Sequence, residues 1–337
     1  MLNIWIEFLI MAILIILSGT YLSRFGDLIA DKTGLGQAVI GVVLIAMATS
    51  LPELVTSSTS AYVNAPNIAV GNAFGSNTFN LLILGIIDIM HNNEFPLSFN
   101  LNYSHVMTGS WGILLSALVV ISIIIANFTN YSIGIMGVGI DSIVLILTYF
   151  IAMFLILRFE KKNPLDDNIR EEAPFLNISL NKAVLGFTAC AVIIIYAGVR
   201  LAITADKIAT ITGIDQTFIG SILVAAATSL PELVTAISAV KIKAYDMAAG
   251  NVLGSNIFNM SIIFFADIFY RDGYILASVK MLHLITASIG IIMASIFITG
   301  LFYKSKKTFM GMGWDSIAVF IVYLLGFYLL FELGVSL

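Results

Sequence analysis

An eight-residue block, Thr49-Ser50-Leu51-Pro52-Glu53-Leu54-Val55-Thr56, returns later in the chain as Thr228-Ser229-Leu230-Pro231-Glu232-Leu233-Val234-Thr235, an offset of 228 − 49 = 179 residues. Both copies lie inside long apolar runs, where a carboxylate is costly unless something uses it. Each copy also holds a proline, which interrupts a helix by withholding an N–H donor. One interrupted apolar helix in each half of a duplicated chain is the pattern of a transporter binding site at mid-membrane depth. The fold therefore has to accommodate two equivalent broken helices.

The surrounding composition fixes the solvent. The 337 residues are 59% hydrophobic and 11% charged, against about 25% charged in soluble domains. A bilayer leaves backbone polar groups no partner but the chain itself, so the expected fold is an all-α integral membrane protein. A span takes about 20 apolar residues. Ten runs meet that length, the first five near Ile4–Leu22, Gln37–Ser60, Asn67–Met90, Ser104–Asn127 and Ile133–Leu157. The second five lie near Lys182–Ala202, Gln216–Val240, Asp246–Phe269, Ile275–Tyr303 and Met312–Val335. Ile4–Leu22 is read as a retained span, because no basic residue precedes it and no A-x-A cleavage site follows.

The duplication reaches beyond the block. Asp27, Gly34, Gln37, Gly41 and Asp88 match Asp206, Gly213, Gln216, Gly220 and Asp267 at the same offset. Gly137-Val138-Gly139-Ile140-Asp141 resembles Gly311-Met312-Gly313-Trp314-Asp315 at an offset of 311 − 137 = 174. The reading is two five-helix repeats, residues 1–157 and 181–337, joined by a charged linker at 158–180. Five is odd, so the second repeat enters the membrane inverted. One face collects 12 of the 16 Lys and Arg, among them Arg24, Lys161, Lys162, Lys241, Lys304 and Lys307. The positive-inside rule makes that face and the linker cytoplasmic and both termini extracellular. The linker is too short for a folded regulatory domain.

The chemistry lies in the two blocks and the motif after each. Glu53 and Thr49 are four apart and share a helix face, with Ser50 beside them. Pro52 frees the carbonyl of Ala48, and Pro231 frees that of Ala227. A carboxylate, hydroxyls and free carbonyls form an all-oxygen site suited to hard cations such as Ca²⁺ or Na⁺. Gly71-Asn72-Ala73-Phe74-Gly75-Ser76-Asn77-Thr78-Phe79-Asn80 then matches Gly250-Asn251-Val252-Leu253-Gly254-Ser255-Asn256-Ile257-Phe258-Asn259. Asn72, Ser76 and Asn80 make one polar face, as do Asn251, Ser255 and Asn259. The glycine pairs allow close helix packing. Asn77 and Asn256 fall off that face, and interhelical glue and an ion-path role stand as equal readings for them. Asp88 and Asp267 are read as structural or path-lining, and Asp141 and Asp315 as packing or capping groups.

Other classes lose support. Cys190 is the only cysteine, so neither an intrachain disulfide nor a cysteine metal cluster is available. His91, His105 and His283 lack ligand spacing. No basic, aromatic-rich patch points to nucleic acid, and no nucleophile–base pair points to an enzyme or cofactor. A passive cation channel is the reading from another class, disfavoured by the lack of an oligomeric filter motif.

At these residues the chain resembles the sodium/calcium exchangers of the calcium/cation antiporter superfamily, whose alpha repeats correspond to residues 41–80 and 220–259. The resemblance implies exchange of Ca²⁺ for Na⁺ by a protein acting as a monomer in the bilayer, with H⁺/Ca²⁺ exchange as the alternative. It implies a shared site with Glu53 and Glu232 as carboxylates and the Thr49 and Thr228 carbonyls at the calcium position. Ala46, Ser50 and Ser76 flank one sodium position, Ala225, Ser229 and Ser255 its counterpart, and Asn80 and Asn259 face the middle. Well-studied exchangers carry Asp at one or both of those last positions. Here both are Asn, leaving two formal negative charges, which balance one Ca²⁺, two Na⁺ or two protons. The expectation is exchange closer to electroneutral than in relatives with Asp.

Overall fold

The computed structural model describes residues 2–33, 46–91, 95–129, 133–162, 178–241, 243, 245–309 and 311–336. Gly34, Gln37, Gly41 and residues 163–177 of the linker lie outside them. Twelve helical segments carry the fold: α1 Leu2–Thr33, α2 Ala46–Thr49, α3 Leu51–Tyr62, α4 Pro66–His91, α5 Ser104–Thr129 and α6 Ile140–Lys162, followed by α7 Leu180–Thr212, α8 Gln216–Thr228, α9 Leu230–Lys241, α10 Tyr245–Phe269, α11 His283–Tyr303 and α12 Trp314–Ser336. Among the described residues, eight helices are long and apolar enough to cross a membrane, and α8 with α9, bent by 43°, makes a ninth span.

Several helices outrun the apolar stretches that predict them. α1 continues past Leu22 to Thr33 and α6 past Leu157 to Lys162. No proline interrupts either extension, and Gly26 is carried inside α1 without ending it, so each helix runs on after hydrophobicity stops. α7 continues past Ala202 until Gly213, which closes it with a left-handed φ of 71°.

The last span of each half starts later than its apolar run. A short hairpin precedes it instead, Gly134–Ile135 with Val138–Gly139 before α6 and Thr308–Phe309 with Met312–Gly313 before α12. The first turns through Met136 and Gly137, with φ of 54° and 87°, the positive pair that a two-residue hairpin turn requires.

Two helices form the interior. In α4 and α10, 78% of the apolar stretch is buried, against 22% in α5 and α12. α4 and α10 pack on each other, with α5 and α11 alongside, while α1 lies along α7 at the periphery. Arg200 of α7 pairs with Glu7 of α1.

Each interior helix ends on a buried aspartate that ties down the opposite half. Asp88 accepts the Leu97 N–H at 2.6 Å and, from far along the chain, the Gly313 N–H at 2.8 Å. Asp267 accepts the Ile275 and Gly139 N–H groups, both at 2.7 Å. These side chains are therefore structural crossties that hold the hairpins against the interior helices. Asp141 accepts the Ser142 N–H at 2.8 Å at the start of α6. Asp88→Asn or Asp267→Asn turns an amide donor toward a buried N–H donor and should cost about 1–3 kcal/mol. Thermal unfolding in detergent should show a lower midpoint for each, and an unchanged midpoint in both would show that the crossties carry no stability.

Candidate cation site

The two doubled blocks fold into the same break. Ser50 adopts φ −88° and ψ 9°, and Ser229 φ −91° and ψ 6°. The Ser50 N–H donates to the Ala46 carbonyl and the Ser229 N–H to the Ala225 carbonyl, both at 3.0 Å. The proline two residues on supplies no N–H to the carbonyl of Ala48 or Ala227. Identical local sequence thus gives near-identical backbone in two places.

Glu53 and Glu232 are wholly buried. Each is held by the serine of the other break: Ser229 Oγ donates to Glu53 Oε1 at 2.8 Å, and Ser50 Oγ donates to Glu232 Oε1 at 3.2 Å. Ser76 Oγ adds a longer contact to Glu53 Oε1 at 3.4 Å. Among the described residues, the second oxygen of each glutamate has no hydrogen-bond partner.

The threonines are also held from the opposite half. Thr228 Oγ1 donates to Asn72 Oδ1 at 3.1 Å, while Thr49 Oγ1 lies 3.5 Å from both Asn251 Oδ1 and Ser255 Oγ. Their hydroxyls also approach the Ala225 and Ala46 carbonyls at 3.3 and 3.2 Å. Asn80 and Asn259 are fully buried on α4 and α10. Asn259 Nδ2 donates to Asn77 Oδ1 at 3.1 Å. Neither amide atom of Asn80 has a partner among the described residues. Hydrogen bonds therefore knit the glutamates, serines and threonines together. Asn259 bonds instead to Asn77, outside that network, and Asn80 makes no side-chain hydrogen bond among the described residues.

Close backbone contact sets the depth of α4. A Cβ on Gly75 would lie 2.2 Å from the Ser221 carbonyl oxygen. Ser221 belongs to a π-helical turn, Ile219–Val224, immediately before Ala225. The glycine pair on α4 thus seats against the widened turn that leads into the second break, and Ser76 is delivered beside Glu53.

Three features escape a reading of the sequence. The repeat is broken at one polar position: Asn72 Nδ2 donates to Ser57 Oγ at 2.9 Å. Ala236 stands where a second serine would be, and Asn251 Nδ2 has no partner among the described residues. At the N-terminus of α10, Asp246 Oδ1 meets His105 Nε2 at 2.9 Å, whereas its counterpart Asn67 meets His283 at 3.2 Å. The matched positions 67 and 246 were the available signal. The third is the pairing of Asn77 with Asn256, taken up below.

The cluster offers oxygen and amide groups alone. Among the described residues, no group of three or more His, Cys, Asp or Glu could hold a metal ion. Two carboxylates with hydroxyls and carbonyls suit a hard, dehydrated cation in transit better than a resident transition metal.

Comparison with known proteins gives consistent matches. The model of the sodium/calcium exchanger protein family matches residues 3–158 and 182–330. An uncharacterized membrane protein of Methanocaldococcus jannaschii is 32% identical over 255 residues, covering 74% of this chain and 76% of the relative. The sodium/calcium exchanger MaX1 of Methanosarcina acetivorans is 27% identical over 285 residues, covering 76% and 80%. A solved structure of the sodium-calcium exchanger NCX_Mj, at 23% identity, superposes with a TM-score of 0.59 over 97% of this chain and 99% of that one, a likeness of fold.

The Gly75 contact makes a direct prediction. Gly75→Ala should push α4 from the π turn and cost about 1–3 kcal/mol by overpacking. Gly112, whose Cβ would meet nothing within 4 Å, should accept alanine without loss. Equal unfolding midpoints for the two variants in detergent would contradict the close-approach account.

Proposed function

The chain belongs to the sodium/calcium exchanger protein family, a family of multi-pass membrane transporters and not of enzymes, and on that premise we propose that it exchanges Ca²⁺ for Na⁺ by alternating access. The observation that carries the reading is the pair of buried glutamates, each held by the serine of the opposite break and each with one oxygen free of partners among the described residues. Two carboxylates in a low-dielectric site repel strongly unless cations or protons sit between them. One Ca²⁺ meets that requirement, and so do two Na⁺.

In this reading Glu53 and Glu232 are shared by all bound ions. The Thr49 and Thr228 carbonyls complete the calcium position, and Asn80 and Asn259 face it as neutral oxygen ligands. Ala46, Ser50 and Ser76 form one sodium position and Ala225, Ser229 and Ser255 the other. The scaffold is two inverted five-span repeats, residues 1–157 and 181–337, with the 158–180 linker cytoplasmic and the termini outside. The match of one family model to both stretches supports the duplication, and the reciprocal crossties of Asp88 and Asp267 support its pseudosymmetry.

The peripheral pair α1 and α7 is the moving part. Gly19 and Gly198 are repeat equivalents, but a Cβ on Gly19 would lie 2.5 Å from the Pro231 ring, whereas one on Gly198 would lie 3.0 Å from Val55. Pro231 and Val55 are not equivalent positions. They differ by three residues of helix, about 4.5 Å of rise. The pair therefore sits displaced toward one end of its track, and the symmetry-related arrangement is the other end.

The reading is tested by ⁴⁵Ca²⁺ uptake into proteoliposomes under an outward Na⁺ or an outward H⁺ gradient. Na⁺-driven, saturable uptake is expected. Uptake on H⁺ alone would make the glutamates proton carriers, and flux with neither counter-ion would describe a channel. Glu53→Gln and Glu232→Gln should each abolish uptake in folded protein, and retained flux in either would remove the site. With only two formal negative charges, uptake should respond little to an imposed membrane potential. A steady net current accompanying normal calcium flux would contradict that charge count.

A further inference from the structure

A neutral amide at the centre of a cation site raises a problem that a carboxylate does not. Asparagine presents an oxygen in one orientation and an NH₂ group in the other, and only the oxygen can coordinate a cation. Asn80 and Asn259 both stand at such positions in the reading above, so something must fix which way each amide faces.

The contacts between α4 and α10 show how Asn259 is fixed. Asn77 Nδ2 lies 3.1 Å from the Asn256 main-chain carbonyl oxygen, and Asn256 Nδ2 lies 3.3 Å from that of Asn77. A main-chain carbonyl only accepts hydrogen bonds, so both side-chain amides must turn their NH₂ groups toward it. That anchors Asn77 Oδ1 in the opposite direction, as an acceptor. The Asn259 amide, 3.1 Å away, must then offer its NH₂ group to Asn77. Asn259 Oδ1 is left facing elsewhere, buried and free of partners among the described residues.

The same logic runs in the other half with its last step unmade. The Asn256 NH₂ is committed to the Asn77 carbonyl, so Asn256 Oδ1 is a buried acceptor without a partner among the described residues. Asn80, the repeat equivalent of Asn259, has both amide atoms unpartnered and no exposed surface. An Asn80 NH₂ donating to Asn256 Oδ1 would complete the counterpart of the bond already made from Asn259 to Asn77.

We infer that Asn77 and Asn256 are positioning residues for ion selection: each anchors its own amide on the opposite main chain and uses its oxygen to hold Asn259 or Asn80 with the carbonyl oxygen toward the cation. The inference rests on the exchanger reading. It explains how this chain builds a divalent site with amides at both central positions. It also gives different work to Asn77 and Asn80, which lie on one helix three residues apart.

A double-mutant cycle separates orientation from packing. Asn77→Ala should weaken the apparent Ca²⁺ affinity for uptake by about tenfold or more, as loss of a partner behind a ligand does. Aspartate needs no orienting partner, because both its ends are oxygen. In an Asn259→Asp background, adding Asn77→Ala should therefore leave the apparent affinity of that background nearly unchanged. A mere helix-to-helix clasp would lose as much in either background, and equal losses would overturn the orienting role. The mirror cycle, Asn256→Ala with and without Asn80→Asp, carries the same prediction and serves if Asn77→Ala does not fold. Wild-type vesicles that show no counter-ion-driven uptake would instead remove the exchanger reading, and this inference with it. A transporting wild type with additive cycles would remove the inference alone.

Discussion

Burying two carboxylates in the middle of an apolar bundle is the constraint on which the structure turns. An ionised carboxylate taken out of water is costly unless hydrogen bonds and counter-charge replace the hydration it loses. Here the replacement is crosswise. The hydroxyl that serves Glu53 sits in the second break, and the one that serves Glu232 sits in the first. Ser76, in the same half as Glu53, adds a longer contact of 3.4 Å, while the serine of each break serves the glutamate of the other half. The crossed pair of serine–glutamate bonds therefore exists only when the two halves are docked, and docking is favoured because it gives each glutamate its shortest hydrogen bond.

The same reciprocity recurs away from the centre. Asp88 and Asp267 each hold a hairpin of the other half. Asn77 and Asn256 each donate to the other's main chain. The interior helices are thereby tied to each other through Asn77 and Asn256 and, near their ends, to the hairpins of the opposite halves, which suits a rigid core. The peripheral pair α1 and α7 meets that core through small residues such as Gly19 and Gly198, and an interface of small residues allows close approach without interlocking side chains. In the proposed exchange cycle, a core tied at the glutamates and a smooth surface beside α1 and α7 would divide the labour between holding ions and moving.

Replacing acidic central residues by amides changes what the neighbours must do. A carboxylate is symmetric toward a cation, and its charge alone draws the ion. An amide supplies a dipole of fixed sense, so its usefulness depends on a hydrogen bond made on the far side. In the proposed site the cost of lowering the charge is a longer chain of dependence, from main-chain carbonyl to Asn77 to Asn259.

Much of this was legible in the residues themselves. Apolar run length, two prolines and a doubled block determine the membrane class, the broken helices and the identity of the buried glutamates, because these follow from solvent and local backbone chemistry alone. Identical breaks at Ser50 and Ser229 show how strongly the local sequence acts. Helix ends were less legible. Hydrophobicity reports the lipid boundary, whereas α7 runs on until Gly213 closes it. Only the tertiary structure decided the partners: that Ser229 serves Glu53, that Asp267 holds Gly139, and that Asn77 faces Asn256 and Asn259. Those pairings join positions more than a hundred residues apart in the chain. No local propensity can encode them, because they depend on which faces meet when one repeat is packed against the other.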